Sequence, residues 1–386
     1  MKPHALSCLA GILAGAWVGL SAHAASSQTW PLTTCDASTF AAAVQLTSTT
    51  YPGPYTSHAD QFNDPVAAGS VPAPITADLI DAFNAAPPAF QTILCGLNGV
   101  FVDQRACGTN TSTCSSANAW GFRDPGNQQL YIGLPMALWQ GSSGQWARAS
   151  NYSDRETTVL WQTITALGGK AWPADSSPPK FSSASSTPSG TVDTPGTTVL
   201  AALAHEYGHI LWYLKLKGDV ANTGYHPSRF CNPSFFQQSW YSDIKTPVGR
   251  WVDFGDASPD TQAGLPPTEV IKAINDGSAK FAAIYLRPIY SDDTPTYYDN
   301  SRTGVWASFL ASVSAQEDFA ETFKFYVLTH WTANQKHPIT SMPLKIYGAN
   351  GASTGPDLDV YADYAASNKK TELKRKVQCI ASISPF

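Results

Sequence analysis

Inside a long apolar stretch the chain reads His205-Glu206-Tyr207-Gly208-His209. Val199, Leu200, Leu203, Ile210, Leu211 and Leu214 recur at helical spacing, which predicts a helix over Thr197–Lys217. On a helix, two histidines four apart project from one face and can grip a single ion. Glu206, beside the first of them, can act as a base toward water activated there. The chemistry this predicts is zinc-assisted hydrolysis. Two imidazoles are too few for it, because a catalytic zinc takes three protein ligands and keeps one position open.

The third ligand must come from farther along the chain. A metzincin pattern would need Gly at 212 and His at 215, but the residues are Trp212 and Lys215, so that clan is excluded. Downstream candidates are Asp219, His226, Glu269, Glu317 and Glu321. Best placed is the run Gln316–Phe323, where Glu317 and Glu321 lie one turn apart on one face of a second predicted helix, about Thr303–Thr329. One carboxylate can ligate while the other orients a ligand histidine through its free N–H.

HEYGH followed downstream by EDFAETF resembles the gluzincins, zinc metallopeptidases such as thermolysin and the anthrax lethal factor. In these the third ligand is a Glu and an acidic residue follows four positions later. The resemblance covers the two helices. It implies one Zn2+ held by His205, His209 and Glu317, with Glu206 as general base, Glu321 supporting a ligand histidine, and a protein or peptide substrate. First His and proposed Glu are 112 positions apart, which implies an insertion, residues 218–300, looped out between the helices. Where the lethal-factor group has a tyrosine seven residues before its Glu ligand, this chain has Leu310. The donor for a tetrahedral oxyanion is therefore open, with Tyr290, Tyr297, Tyr298 and His226 as candidates. Gln129–Leu134 is a candidate edge strand for an extended substrate. His58, His330 and His337 lack ligand spacing and read as structural or solvent-exposed.

The elements that must position these residues make an α+β fold. We expect a zincin-like catalytic domain over 151–386 with a small mixed sheet, an active-site helix and a second ligand-bearing helix. Residues 25–150 form an N-terminal elaboration, irregular over 25–74. Thr76–Leu94 is helical but interrupted by Pro87-Pro88, and Gly99–Val102 and Gln129–Leu134 are strands. Ser153-Asp154-Arg155-Glu156 opens a helix reaching about Leu167. The Pro- and Ser-rich run Trp172–Gly196 is a loop, and the last helix spans Asn368–Cys379.

Residues 1–24 read as a secretory signal peptide: Lys2, an apolar run from Ala5 to Leu20, and the ending Ala22-His23-Ala24. The run is too short to span a bilayer, so a secreted or periplasmic chain without membrane insertion is expected. One of the seven cysteines, Cys8, leaves with the signal; the even remainder suits disulfides, and Cys107–Cys114 could close a short loop. Only 14% of the 386 residues are charged, with a net charge of −5, which excludes a nucleic-acid footprint and the composition of disorder. The leading function is a secreted zinc metalloendopeptidase. Its alternatives are an exported, non-catalytic binding protein of zincin fold, or a zinc hydrolase of a non-peptide amide or glycan.

Overall fold

A computed structural model of the chain describes residues 29–54, 62–105, 119–124, 127–139, 182–183, 195–215, 307, 311, 315–329, 339–341, 343–344, 358–359 and 372–383. The signal peptide, the helix expected from Ser153, Cys107 and Cys114, and the insertion 218–300 lie outside the described residues.

The stretch 25–74, expected to be irregular, instead supplies helix α1 (Ala37–Ala43) and strands β1 (Gln45–Thr47) and β2 (Ala67–Ser70). These elements are too short for a periodicity window to register. A local capping device starts α1: the Asp36 carboxylate accepts from the Thr39 backbone N–H at 2.8 Å and from the Ser38 and Thr39 hydroxyls. Those bonds, from Ser38 first, hold the Asp36 carboxyl down at about 2.

Pro87-Pro88 splits the next predicted helix into α2 (Ala73–Ala85) and α3 (Pro88–Cys95). Pro88 takes the first helical position, where its missing N–H is no loss, and Pro87 before it is extended. Strands β3 (Gly99–Asp103) and β5 (Leu130–Pro135) fall where expected, and β4 (Trp120–Arg123) adds a strand the sequence reading lacked. After the short β6 (Ser182–Ser183) comes α4 (Pro195–Lys215), again with proline at the first position. Helix α5 runs Ala315–Thr329; of the expected stretch before it, only Ala307 and Ala311 are among the described residues, and neither is α-helical. The acidic Glu317-Asp318 in its first turn are a helix-start signal that apolar periodicity does not register. Strands β7 (Ile339–Ser341), β8 (Pro343–Leu344) and β9 (Leu358–Asp359) precede α6, which spans Glu372–Ile383 where Asn368–Cys379 was expected.

The main sheet has the order β2-β1-β3-β5-β4, with β1, β3 and β5 parallel and β2 and β4 antiparallel to their neighbours. Strand β5, read from the sequence as a candidate edge, is interior; among the described strands β2 and β4 are the outermost. Side chains alternate across the sheet. Val100, Val102, Ile132 and Leu134 join the helices in one apolar core, while Phe101, Trp120, Phe122 and Tyr131 cluster with Tyr51 on the opposite face.

Helix α4 is buried nearly all round, packed against α2, α5, β4 and β5, so its apolar pattern marks a central helix and not a half-exposed one. Since Trp120 and Phe122 face the aromatic cluster, Gly121 faces α4. A Cβ on Gly121 would collide with the Glu206 carbonyl oxygen. Strand β4 therefore lies directly on the HEYGH turn, an approach only glycine permits. A disulfide, Cys35–Cys95, ties the start of α1 to the end of α3, and Cys379 in α6 is also disulfide-bonded.

Gly121→Ala should therefore push β4 off α4 at a cost of about 1–3 kcal/mol, the usual range for overpacking. A urea unfolding midpoint equal to that of the parent chain would contradict this packing.

Candidate metal centre

The site is built where α4 and α5 come closest. A Cβ on Gly208 would lie 2.7 Å from the Ala320 Cα and 3.1 Å from its Cβ, so the two backbones approach as nearly as glycine allows. Aromatic pairs lock the helices on either side of this contact: Tyr207 with Phe323 at 5.7 Å between ring centroids and Trp212 with Phe319 at 5.6 Å. Glu206, two positions from Gly208 and so on the far side of α4, is itself only 5% exposed.

His205 and His209, one turn apart on α4, bring their Nε2 atoms to 3.1 Å from each other. Glu317 of α5 places its Oε2 3.2 Å from the His205 Nε2 and 3.6 Å from the His209 Nε2. A tetrahedral zinc with bonds of about 2.0–2.1 Å needs donors about 3.3–3.4 Å apart, and the three edges of this triangle straddle that value. These three residues form a group able to hold a metal ion. Two imidazoles and one carboxylate are also the donor types of a catalytic zinc site that leaves one position for water.

Electrostatics supports a dication. Among the described residues, the buried charged groups of this region are Glu206, Glu317, Asp318 and Glu321 against Lys324 and Lys376. Four carboxylates against two ammonium groups make the described part of this region rich in the anionic groups that a buried cation pairs with.

The support of the ligands is equally definite. Glu321 Oε1 lies 2.6 Å from the His205 Nδ1. An ionised carboxylate only accepts, so Nδ1 carries the proton and Nε2 is left to face the ion. Burial by itself raises the Glu321 pKa, but the Lys324 charge and the bond from His205 overcome it and hold the group at about 2. Burial likewise opposes a proton on His205. The hydrogen bonds to Glu317 and Glu321, with the charges of Glu321 and Glu206, outweigh burial and push the metal-free histidine up to about 10. Asp318, next to Glu317, is held by both oxygens to Lys376 of α6, at 2.9 and 2.6 Å, with both side chains buried.

Five residues singled out in the sequence thus come together: His205, Glu206, His209, Glu317 and Glu321. Tyr290, Tyr297, Tyr298, His226, Asp219 and Glu269 lie outside the described residues, as do His58, His330 and His337. Sequence reasoning passed over Gly208, Ala320, Lys324 and Lys376. A signal existed for Lys324, three residues after Glu321, but an i,i+3 pair reads as ordinary surface charge until burial is known. No protein-family model matches the chain, and no curated protein or solved structure matches it either.

Two outcomes follow from this geometry. Gly208→Ala must separate the helices and carry Glu317 away from the histidines, so zinc affinity by chelator competition should fall about 10–100-fold, as when ligand support is lost; unchanged affinity would sink the close-approach argument. Because the His205 proton, held up to about 10 against an ordinary 6.5, must leave before Nε2 can take an ion, affinity should rise with pH. One displaced proton corresponds to roughly tenfold per pH unit between pH 6 and 8, and a flat profile would contradict it.

Proposed function

We propose that the protein is an exported zinc metalloendopeptidase. The observation that carries the proposal is the convergence of His205, His209 and Glu317 on one point, with Glu206 buried in the same turn of α4. His205, His209 and Glu317 would hold the zinc. When bound, zinc lowers the pKa of water toward about 7 and polarises a substrate carbonyl. His-His-Glu with an open position is the ligand set that suits it.

Glu206 acts on the proton. Its carboxylate takes a proton from the attacking water and delivers it to the leaving nitrogen, the two halves of general acid–base catalysis by one group. Glu321 keeps a proton on the His205 Nδ1, which leaves Nε2 as the ring nitrogen that would hold the ion. The aromatic pairs on either side of the helix contact exclude water from behind the ligands. An extended peptide is accommodated along β4, one of the two outermost described strands of the main sheet, whose Gly121 rests on the Glu206 backbone. Strand addition there would run the scissile bond past the general base.

Export is supported by the Cys35–Cys95 disulfide, which suits an oxidising compartment, and by the signal-like residues 1–24. Among the described residues no helix is long and apolar enough to cross a membrane.

Glu206→Gln tests the proposal, since it keeps shape and burial while removing the base. Cleavage of a casein or peptide-library substrate should fall by about 100-fold or more, with bound zinc unchanged by metal analysis. Cleavage that survives the substitution would overturn the assigned mechanism.

A further inference from the structure

Lys324 is a buried lysine whose place is not explained by the ligand set. Only 4% of it is exposed, although lysine normally extends its ammonium to water. Its Nζ instead donates to Glu321 Oε2 at 2.6 Å and lies 4.7 Å from the centroid of the Phe325 ring. The other oxygen, Oε1, takes His205 at 2.6 Å. The two oxygens of Glu321 are thus divided, one to each partner, and the carboxylate is fixed at both ends.

We infer that Lys324 is a positioning residue of the metal centre, holding Glu321 in the orientation in which Glu321 holds His205. This inference rests on the zinc reading of the site.

The geometry separates this role from general charge compensation. A carboxylate bonded only through Oε1 can rotate about its terminal torsion, which is broad and soft, and it then swings the imidazole it holds. The ammonium on Oε2 removes that freedom. Both partners come from the same helix three residues apart, so the geometry of the Lys324–Glu321 unit is set by α5 alone and aims the other oxygen at His205. Asp318–Lys376 offers the contrast: it is a buried pair whose bonds run between two helices and anchor α6 to α5, whereas Lys324 and Glu321 share one helix.

The test uses the full-length chain loaded with Co2+, whose visible d–d bands report ligand geometry, and zinc affinity measured by chelator competition. Lys324→Met should alter the bands and weaken zinc binding about 10–100-fold, while Lys324→Arg, which restores a donor to Oε2, should recover the parent spectrum. In a Glu321→Gln background, Lys324→Met should change affinity less than about twofold, because the group through which Lys324 acts is already altered. That double variant also removes both buried charges together, so it remains informative where Lys324→Met alone does not fold. A folded Lys324→Met with parent bands and affinity overturns the inference, and so does a loss of equal size in the Glu321→Gln background. Failure of the zinc reading itself is distinguishable: the parent chain would then take up neither Zn2+ nor Co2+.

Discussion

Charge in a dry interior is the constraint from which the rest of the structure follows. Helices α4 and α5 bring four carboxylates into a region closed to water, and no protein interior holds that many anions without cations beside them. Two lysines answer two of them directly, Lys324 to Glu321 and Lys376 to Asp318. Glu317 faces the two histidines of α4. A dication at that point would bring positive charge beside these carboxylates, and in the metal-free chain a proton on His205 does so. The high proton affinity of this histidine and the metal affinity proposed for the site have the same origin.

Such a site works only if the two helices are held at one fixed separation. Gly208 and Ala320 set it by removing every atom that could keep the backbones apart. The aromatic pairs across the interface then supply the attraction that small residues lack. On the other side, Gly121 lets β4 press on the same turn of α4. The HEYGH turn is therefore enclosed from two directions by positions with little or no side chain, and the buried ionisable groups occupy the space this leaves. An apolar core formed jointly by the N-terminal elements, the sheet and α4–α6 buttresses the arrangement.

The weak charge of the exterior and the heavy charge of this interior belong together. A chain with 14% charged residues that commits four carboxylates and two lysines to one buried cluster is using scarce charge for geometry and chemistry rather than for solubility. The disulfide Cys35–Cys95 braces the N-terminal elements of the same fold.

How much of this was legible beforehand depended on the range of the physics involved. Local rules act within a turn or two of chain, so the sequence alone determined the existence of α4, the shared face of His205 and His209, the break at Pro87-Pro88, the strands β3 and β5, and Glu317 with Glu321 as the best-placed carboxylates. It overextended α5 and missed α1, β1, β2 and β4, because short elements carry too few residues for periodicity and are stabilised by neighbours distant in sequence. Only the tertiary structure decided that β5 is interior and β4 outermost, since strand order is set by packing and not by pattern. Only it revealed that Gly208 is a contact point and that Lys324 and Lys376 are buried partners of acidic residues. Pair spacing along one helix cannot tell whether a lysine points to water or to a carboxylate in the core; the closeness of a second helix, more than a hundred residues away in the chain, is what decides it.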